Sequence, residues 1–370
     1  MQPVHFPTTV DALTPEWTTE ALTVAGVLDD AVVASLQAVP VGEQGQTSEV
    51  LRLILSYEGG DGTEPDTLIA KLPSPLDSVR AVQRALGSYA REVCFYRDLG
   101  AESGIALPRC YVADVDEASG DFILLLEDMS PSRTGDLWSS NPLDVAQATE
   151  ALAGMHARWW CDPTLRSHGW LPQHDDRRFH GMLGAAYKGA LPVALEKYPE
   201  HFTGYLRDVA HLLAAHWDSW IGYRPGDPFT LVHNDFHPKQ IFFPGPAGGR
   251  FAVFDWQNVV SGRPTFDLSR LLLKGLRPAD LRERKDELLE RYHTGLVQRG
   301  VEVELDAIAA EWRGSLLHTL AYTAFVLART DVNELERAAS ERSVDFRQRL
   351  IDDLAESLED NEVHEVLNQG

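Results

Sequence analysis

At Met129 the chain changes period, and that change constrains its fold more than any other feature. Before it, short β-favouring runs dominate. Residues 50–57 (VLRLILSY) and 67–72 (TLIAKL) flank the turn-rich YEGGDGTEPD, a pattern that predicts an antiparallel pair. Further strands are expected at 111–114 and in DFILLLEDM from Asp121, the latter ending abruptly at SPSRTGD. Between them Val79, Val82, Leu86, Tyr89, Val93 and Tyr96 recur at steps of three and four, which predicts one amphipathic helix, capped by Asp77 or Ser78 and stopped by Gly100. The first forty residues, with helix-like DALTPEWTTEALTVAG, read as an N-terminal cap.

Past Met129 the pattern turns helical, at 143–160, 170–222 with interruptions, 267–275, 278–298, 304–329 and 332–367. Only TLVH, IFF and RFAVFDW break it with short strands. The expected architecture is α+β, with a small antiparallel-sheet lobe over 1–129 and a larger, mostly helical lobe over 130–370. At 370 residues, 44% of them hydrophobic, the chain can bury a core in each.

Fifty-six acidic residues against 33 Lys and Arg give a formal charge of −23, a field that repels a phosphate backbone or an anionic lipid surface. Nucleic acid and membrane are therefore not expected as primary partners. Cys94, Cys110 and Cys161 are odd in number and lack CxxC spacing, which fits a reducing cytoplasm and neither a disulfide framework nor a thiolate metal site. The start MQPVHFPTTV has no basic and then apolar leader, and the longest apolar runs are too short to span a bilayer. No export or anchoring is expected.

The chemistry concentrates in LVHNDFHPKQIFF and the following RFAVFDWQNVVSGRPTFDLSRLL. His233, Asp235, Gln240 and Asp255 fall on one strand-loop-strand unit. Phosphoryl transfer needs such a set: a carboxylate to orient or deprotonate an attacking hydroxyl, and oxygen ligands that hold Mg²⁺ against nucleotide phosphates. A zinc pair of His233 and His237, four apart, would need a helix, yet Pro238 follows at once and IFF resumes a strand. His233 reads instead as a buried hydrogen-bonding prop of the loop.

Lys71 lies in the second strand of the first lobe, and an isolated lysine there would ordinarily snorkel to water. Glu92 on the next helix gives it a different reading, an ion pair that fixes the ammonium on nucleotide phosphates. VGEQGQTSEVLRL places Gly42, Gly45, Gln46 and Thr47 ahead of the first strand, where a loop can fold over phosphates and offer backbone N–H groups. It is not a full GxGxxG.

HNDFHPKQ, FDWQNVVSGRPTFDL, TLIAKLPSP with YAREVCFYRDLG, FILLLEDM and LAGMHARWW together resemble the aminoglycoside phosphotransferase and choline kinase superfamily, most of all its ecdysteroid-kinase-like branch. The resemblance covers roughly residues 40 to 330. It implies a protein-kinase-like two-lobed fold and a Mg²⁺-dependent transfer of the γ-phosphoryl of ATP (or GTP) to a small hydroxylated acceptor. It further implies Asp235 as catalytic base, Asp255 and Gln240 as metal ligands, and Lys71 as a phosphate contact positioned by Glu92. Asp267 would brace the catalytic loop, and the strand end from Glu127 to Met129 would present backbone groups to the base of the nucleotide. Two positions depart from the pattern. Asn234 stands where Gly is usual, and Gln240 where Asn is usual, its amide oxygen one methylene further out.

A protein kinase would carry Arg before the catalytic Asp and a long segment for peptide docking; here Asn234 precedes it, and eleven residues separate Asp255 from Asp267. A small molecule is the better acceptor. The alternatives are a nucleotide-binding pseudokinase of the same fold, an enzyme with an amine acceptor, and a true antibiotic phosphotransferase. Trp159, Trp160, Trp170, Phe179, Tyr187 and Tyr205, amid balanced charges, predict a weakly charged hydroxylated acceptor of sugar, polyketide or sterol type rather than an aminoglycoside.

Overall fold

The computed structural model describes residues 6–41, 47–221 and 227–368. The chain forms two compact units, Met1–Arg133 with Pro244–Val259, and Thr134–Phe243 with Val260–Gly370. The sequence places the break after Met129. The structure puts it four residues later and returns 244–259, with Asp255, to the first unit.

The first unit is built on an antiparallel sheet of β1 (Val32–Pro40), β2 (Ser48–Glu58), β3 (Thr67–Pro73), β4 (Cys110–Val115) and β5 (Phe122–Glu127), ordered β1-β2-β3-β5-β4. Alternation sorts its side chains: Leu68, Ala70 and Leu72 of β3 join Ile123 and Leu125 of β5 in one core, packed with Leu22 of α1 (Pro15–Val24). Thr14 caps α1 by accepting the Trp17 N–H at 3.2 Å. Each fully buried leucine of this core contributes about 1.5–3 kcal/mol of burial. Lys71 has odd parity on β3 and pairs with Leu124, so it stands on the opposite face.

Two expectations fail here. The edge strand β1 lies in the segment read as a cap. Val33 is its only buried residue, so its sequence shows no inward alternation. The single helix expected from Val79 is two, α2 (Asp77–Leu86) and α3 (Ser88–Cys94), separated by Gly87 at φ 67°. α2 buries nothing, and Val82 and Leu86 are exposed. α3 buries Tyr89, Glu92 and Val93, with the Tyr89 ring 4.4 Å from Phe122. The chain then winds on through Phe95–Leu99 and Gly100–Glu102.

The two-residue strand β6 (Arg133–Thr134) leads into the second unit, which holds α4 (Pro142–Arg158), α5 (Arg177–Lys197), α6 (Gly204–Ile221), α7 (Thr265–Gly275), α8 (Pro278–Val297) and α9 (Leu305–Arg329). The expected 332–367 helix is broken into α10 (Val332–Ser340), a π turn at Gln348–Asp352, α11 (Asp353–Asp360) and α12 (His364–Asn368), with Ser343 and Glu362 at positive φ where it bends. β7 (Thr230–Val232) pairs antiparallel with β10 (Val260–Gly262), a strand the sequence reading missed. β8 (Ile241–Phe243) follows the loop 233–240, and of RFAVFDW only β9 (Ala252–Val253) is strand.

All eleven residues of α7 are buried. Close packing on α9 is made possible by small hydroxyls that satisfy one another: Thr265 Oγ1 lies 2.6 Å from Ser315 Oγ, and Ser269 Oγ donates to the Ser315 carbonyl at 3.0 Å. Asp267, Arg270 and Lys274, at steps of three and four, share one face of this helix.

Candidate active site

In the first unit, α3 and β3 bring Glu92 and Lys71 together. Lys71 Nζ donates to Glu92 Oε2 at 2.5 Å and to Asp255 Oδ1 at 2.9 Å. Burial would push this ammonium down, but Asp255 and Glu92 on either side carry it above its ordinary value, so it stays charged. Asp255 follows β9 with φ 66°, a left-handed conformation that Asp tolerates better than most residues. Behind it Trp256 stacks on Phe95, ring centroids 3.8 Å apart, which fixes the turn.

Asp255 Oδ1 accepts from Lys71, and Oδ2 accepts from Gln257 Nε2 at 3.4 Å, on a side chain that solvent reaches. A partly accessible carboxylate oxygen is the hard donor Mg²⁺ uses. That ion commonly takes one or two protein oxygens and completes its shell with water and substrate phosphates. Among the described residues no cluster of three His, Cys, Asp or Glu forms a cage for a transition metal. The donor set fits Mg²⁺ held partly by phosphates.

In the second unit, Asp235 follows β7 and is buried. Its Oδ1 accepts from Arg270 Nε at 2.7 Å and lies 2.5 Å from Nη2, with His237 Nε2 at 3.3 Å. Tyr322 donates its hydroxyl to Oδ2 at 3.3 Å, and its ring lies under the Arg270 guanidinium at 3.6 Å. Burial raises the Asp235 pKa, but the guanidinium and then His237 outweigh it and hold the group well below the ordinary carboxylate range. Burial keeps His237 itself neutral by pushing its pKa down.

The loop's shape is set from α7. Asp267 accepts the His233 N–H at 2.7 Å and the Asn234 N–H at 2.8 Å, and the Asp235 N–H donates to His233 Nδ1 at 3.3 Å. Asn234 takes φ 66°, the conformation for which Gly is otherwise used. His233 is fully buried. Gln240 ends the one-turn helix Pro238–Gln240 and is half-buried, its N–H donating to the His237 carbonyl at 2.9 Å.

Of the other residues singled out from sequence, Gly42, Gly45 and Gln46 lie outside the described residues. Thr47 is half-buried, and its carbonyl accepts the Tyr89 hydroxyl. The Glu127 N–H donates to the Arg109 carbonyl at 2.8 Å, its carboxylate pairs with Arg250, and the Met129 carbonyl closes a turn with Ser132 at 2.8 Å. Of the six aromatics expected around an acceptor, three are tied into packing of their own. Trp159 is buried under Arg158, the Tyr187 hydroxyl donates to the Ala210 carbonyl at 2.9 Å, and Tyr205 packs on His364. Sequence reasoning missed Arg270, Lys274 and Tyr322. The available signal was two cations inside the apolar run of FDLSRLLLKG.

No helix among the described residues is long and apolar enough to cross a membrane. An uncharacterized kinase-like protein of Caenorhabditis elegans is 26% identical over 224 residues, 55% of this chain and 56% of its own length, so the chain spans about half of that relative. Among solved structures, aminoglycoside 2′-phosphotransferase-IIIa in its GDP complex is 14% identical, covers 92% of this chain and 97% of its own, and superposes with a TM-score of 0.52. A choline/ethanolamine kinase family protein of Mesorhizobium loti is 18% identical over 95% of this chain and 99% of its own, with a TM-score of 0.48. The first of these structures shows the fold to be the protein-kinase-like one, an antiparallel-sheet unit and a helical majority. The model of the phosphotransferase enzyme family matches residues 56–312, and the chain belongs to that family.

Proposed function

We propose that this protein is a small-molecule kinase that transfers the γ-phosphoryl of ATP (or GTP) to a hydroxyl of a metabolite, with Mg²⁺. The reading rests above all on one observation: a carboxylate, Asp235, is buried yet kept ionised by Arg270, on a loop whose backbone is clamped by Asp267. In this reading residues 1–129 with the Asp255 segment bind the nucleotide and residues 130–370 carry the acceptor chemistry. The ecdysteroid-kinase-like branch is supported by the motifs around Asp235, Asp255 and Lys71.

Lys71, held by Glu92, places its ammonium on the phosphates. Asp255 would hold Mg²⁺, with the Gln240 amide oxygen as a further donor. When bound, the metal would supply positive charge against the nucleotide phosphates. Asp235 accepts a hydrogen bond from the acceptor hydroxyl and aims it at the γ-phosphorus. As the new O–P bond forms and the bond to the β-phosphate oxygen breaks, the hydroxyl proton passes to Asp235 and then to water. A depressed pKa suits this role, because a loose transition state asks for orientation first and for proton acceptance late.

A screen of hydroxylated metabolites for Mg²⁺-dependent ADP or GDP release tests the reading. Acceptor-stimulated release supports it. Binding of MgATP with no acceptor-stimulated release across the screen favours the pseudokinase.

A further inference from the structure

Beside Asp235 the second unit buries three cations, Arg270, Lys274 and Arg349, and two of them are held in ion pairs. Arg270 is taken by Asp235, and Arg349, also buried, is taken by Asp353 at 3.1 Å. Lys274 remains. It is one helical turn beyond Arg270 on α7, 8% exposed, and its Nζ donates to Thr323 Oγ1 at 3.2 Å with no ion-pair partner among the described residues. The Nη1 of Arg270 is likewise buried and has no hydrogen-bond partner among the described residues.

Both features are costly. An ammonium out of water without a counter-ion is destabilising unless it gives up its proton, and a buried guanidinium N–H without an acceptor loses about 1–3 kcal/mol. In line with this, burial pushes the Lys274 pKa well down, and Arg270 and Arg349 push it further. Asp235 and Asp353 pull the other way, but each is bonded to an arginine, and neither makes an ion pair with Lys274 among the described residues. Thr323 and Tyr322 are neighbours on α9, so Tyr322 ties Asp235 into the cluster from the side where Thr323 holds Lys274.

We propose that Lys274 and Arg270 form the acceptor's anion subsite, so that the phosphorylated metabolite is a hydroxylated compound bearing a carboxylate or a phosphate. The anion supplies a counter-charge that favours the protonated form of Lys274, and an acceptor for Arg270 Nη1. Its hydroxyl, a few bonds away, reaches Asp235. This rests on the kinase reading above, and it gives a definite anionic group to the weakly charged acceptor expected from the aromatic stretch.

The test uses the full chain with MgATP and matched acceptors: hydroxy acids such as glycerate, sugar and polyol phosphates such as glycerol 3-phosphate, and the neutral alcohol of each. The charged members are expected to raise the wild-type melting temperature and to be phosphorylated with kcat/KM at least tenfold above their neutral counterparts. The carboxylate and phosphate arms show which anion is preferred. Lys274→Met is expected to raise KM for the charged acceptor tenfold or more and to leave KM for the neutral one within twofold. Neutral members preferred, no response to any charged member while MgATP still binds, or an unchanged KM for the charged acceptor in a folded Lys274→Met would each overturn the subsite. Failure of the wild type to bind MgATP would instead overturn the kinase reading.

Discussion

Asp235 owes its charge to Arg270, and this dependence can be measured. The folded pKa of Asp235 is depressed, so its stabilising contribution is present above the unfolded value, near 4, and is lost as pH falls through the folded value. Arg270→Met strands a buried carboxylate. Denaturant unfolding at pH 7 is expected to show a loss of about 3–5 kcal/mol. The same change lifts the Asp235 pKa, so the acid limb of the transfer pH profile moves upward. An unchanged acid limb would mean that Asp235 is not the group the profile reports. At Gln240 the prediction concerns the metal. Gln240→Ala should raise the Mg²⁺ concentration needed for half-maximal rate, while Gln240→Asn should be tolerated, since only an amide oxygen is required. Equal metal dependence of Gln240→Ala and wild type would leave Gln240 a packing role. The contact of Lys71 with Glu92 and Asp255, and the burial of Asp235, fall on residues that the motifs and their spacing single out in the sequence. Arg270, Tyr322 and Lys274 were not legible there, since they meet only when α7 and α9 pack together, which sequence spacing does not reveal.

Elements were legible where burial imposed a period. β3 and β5, buried on both faces, stood out as apolar runs, and α9 (Leu305–Arg329) falls where the helix over 304–329 was expected. The edge strand β1 was missed because an exposed edge needs no alternation. The helix break after α2 was missed because Val79, Val82 and Leu86 continue the stripe of α3 across Gly87. Gly87 has nothing within 4 Å of an added Cβ, so Gly87→Ala meets only the strain of φ 67°. Thermal or denaturant unfolding is expected to show a cost of about 1–2 kcal/mol. A second element-scale prediction lies on α9. Burial pushes the Glu311 pKa up to about 7 despite Arg263 Nη1 at 3.8 Å. Its folded form holds the proton more tightly than the unfolded chain, so stability contributed by this group is full below pH 4.5 and falls as pH rises towards 7. Glu311→Gln should flatten the decline of melting temperature between pH 5 and 7.5. A decline as steep as that of wild type would place the cause elsewhere.

At the scale of the molecule, the −23 charge and the two compact units exclude less and imply more than either does alone. The acidity is spread over solvated surface, while the buried cations Lys71, Arg270 and Lys274 sit beside the residues that would meet phosphate and acceptor. The division of labour follows from this: one unit fixes Lys71, Glu92 and Asp255 in a mutual contact, and the other fixes Asp235 on a clamped loop. The central claim is that Asp235 acts on the acceptor hydroxyl and not on the nucleotide. The most direct measurement compares wild type and Asp235→Asn in transfer of label from γ-labelled ATP to an acceptor found in the screen, alongside calorimetry with a non-hydrolysable ATP analogue and Mg²⁺. The account predicts a fall in transfer of about 10²–10⁴-fold with nucleotide affinity within about threefold of wild type. Near wild-type transfer by a folded Asp235→Asn would contradict it.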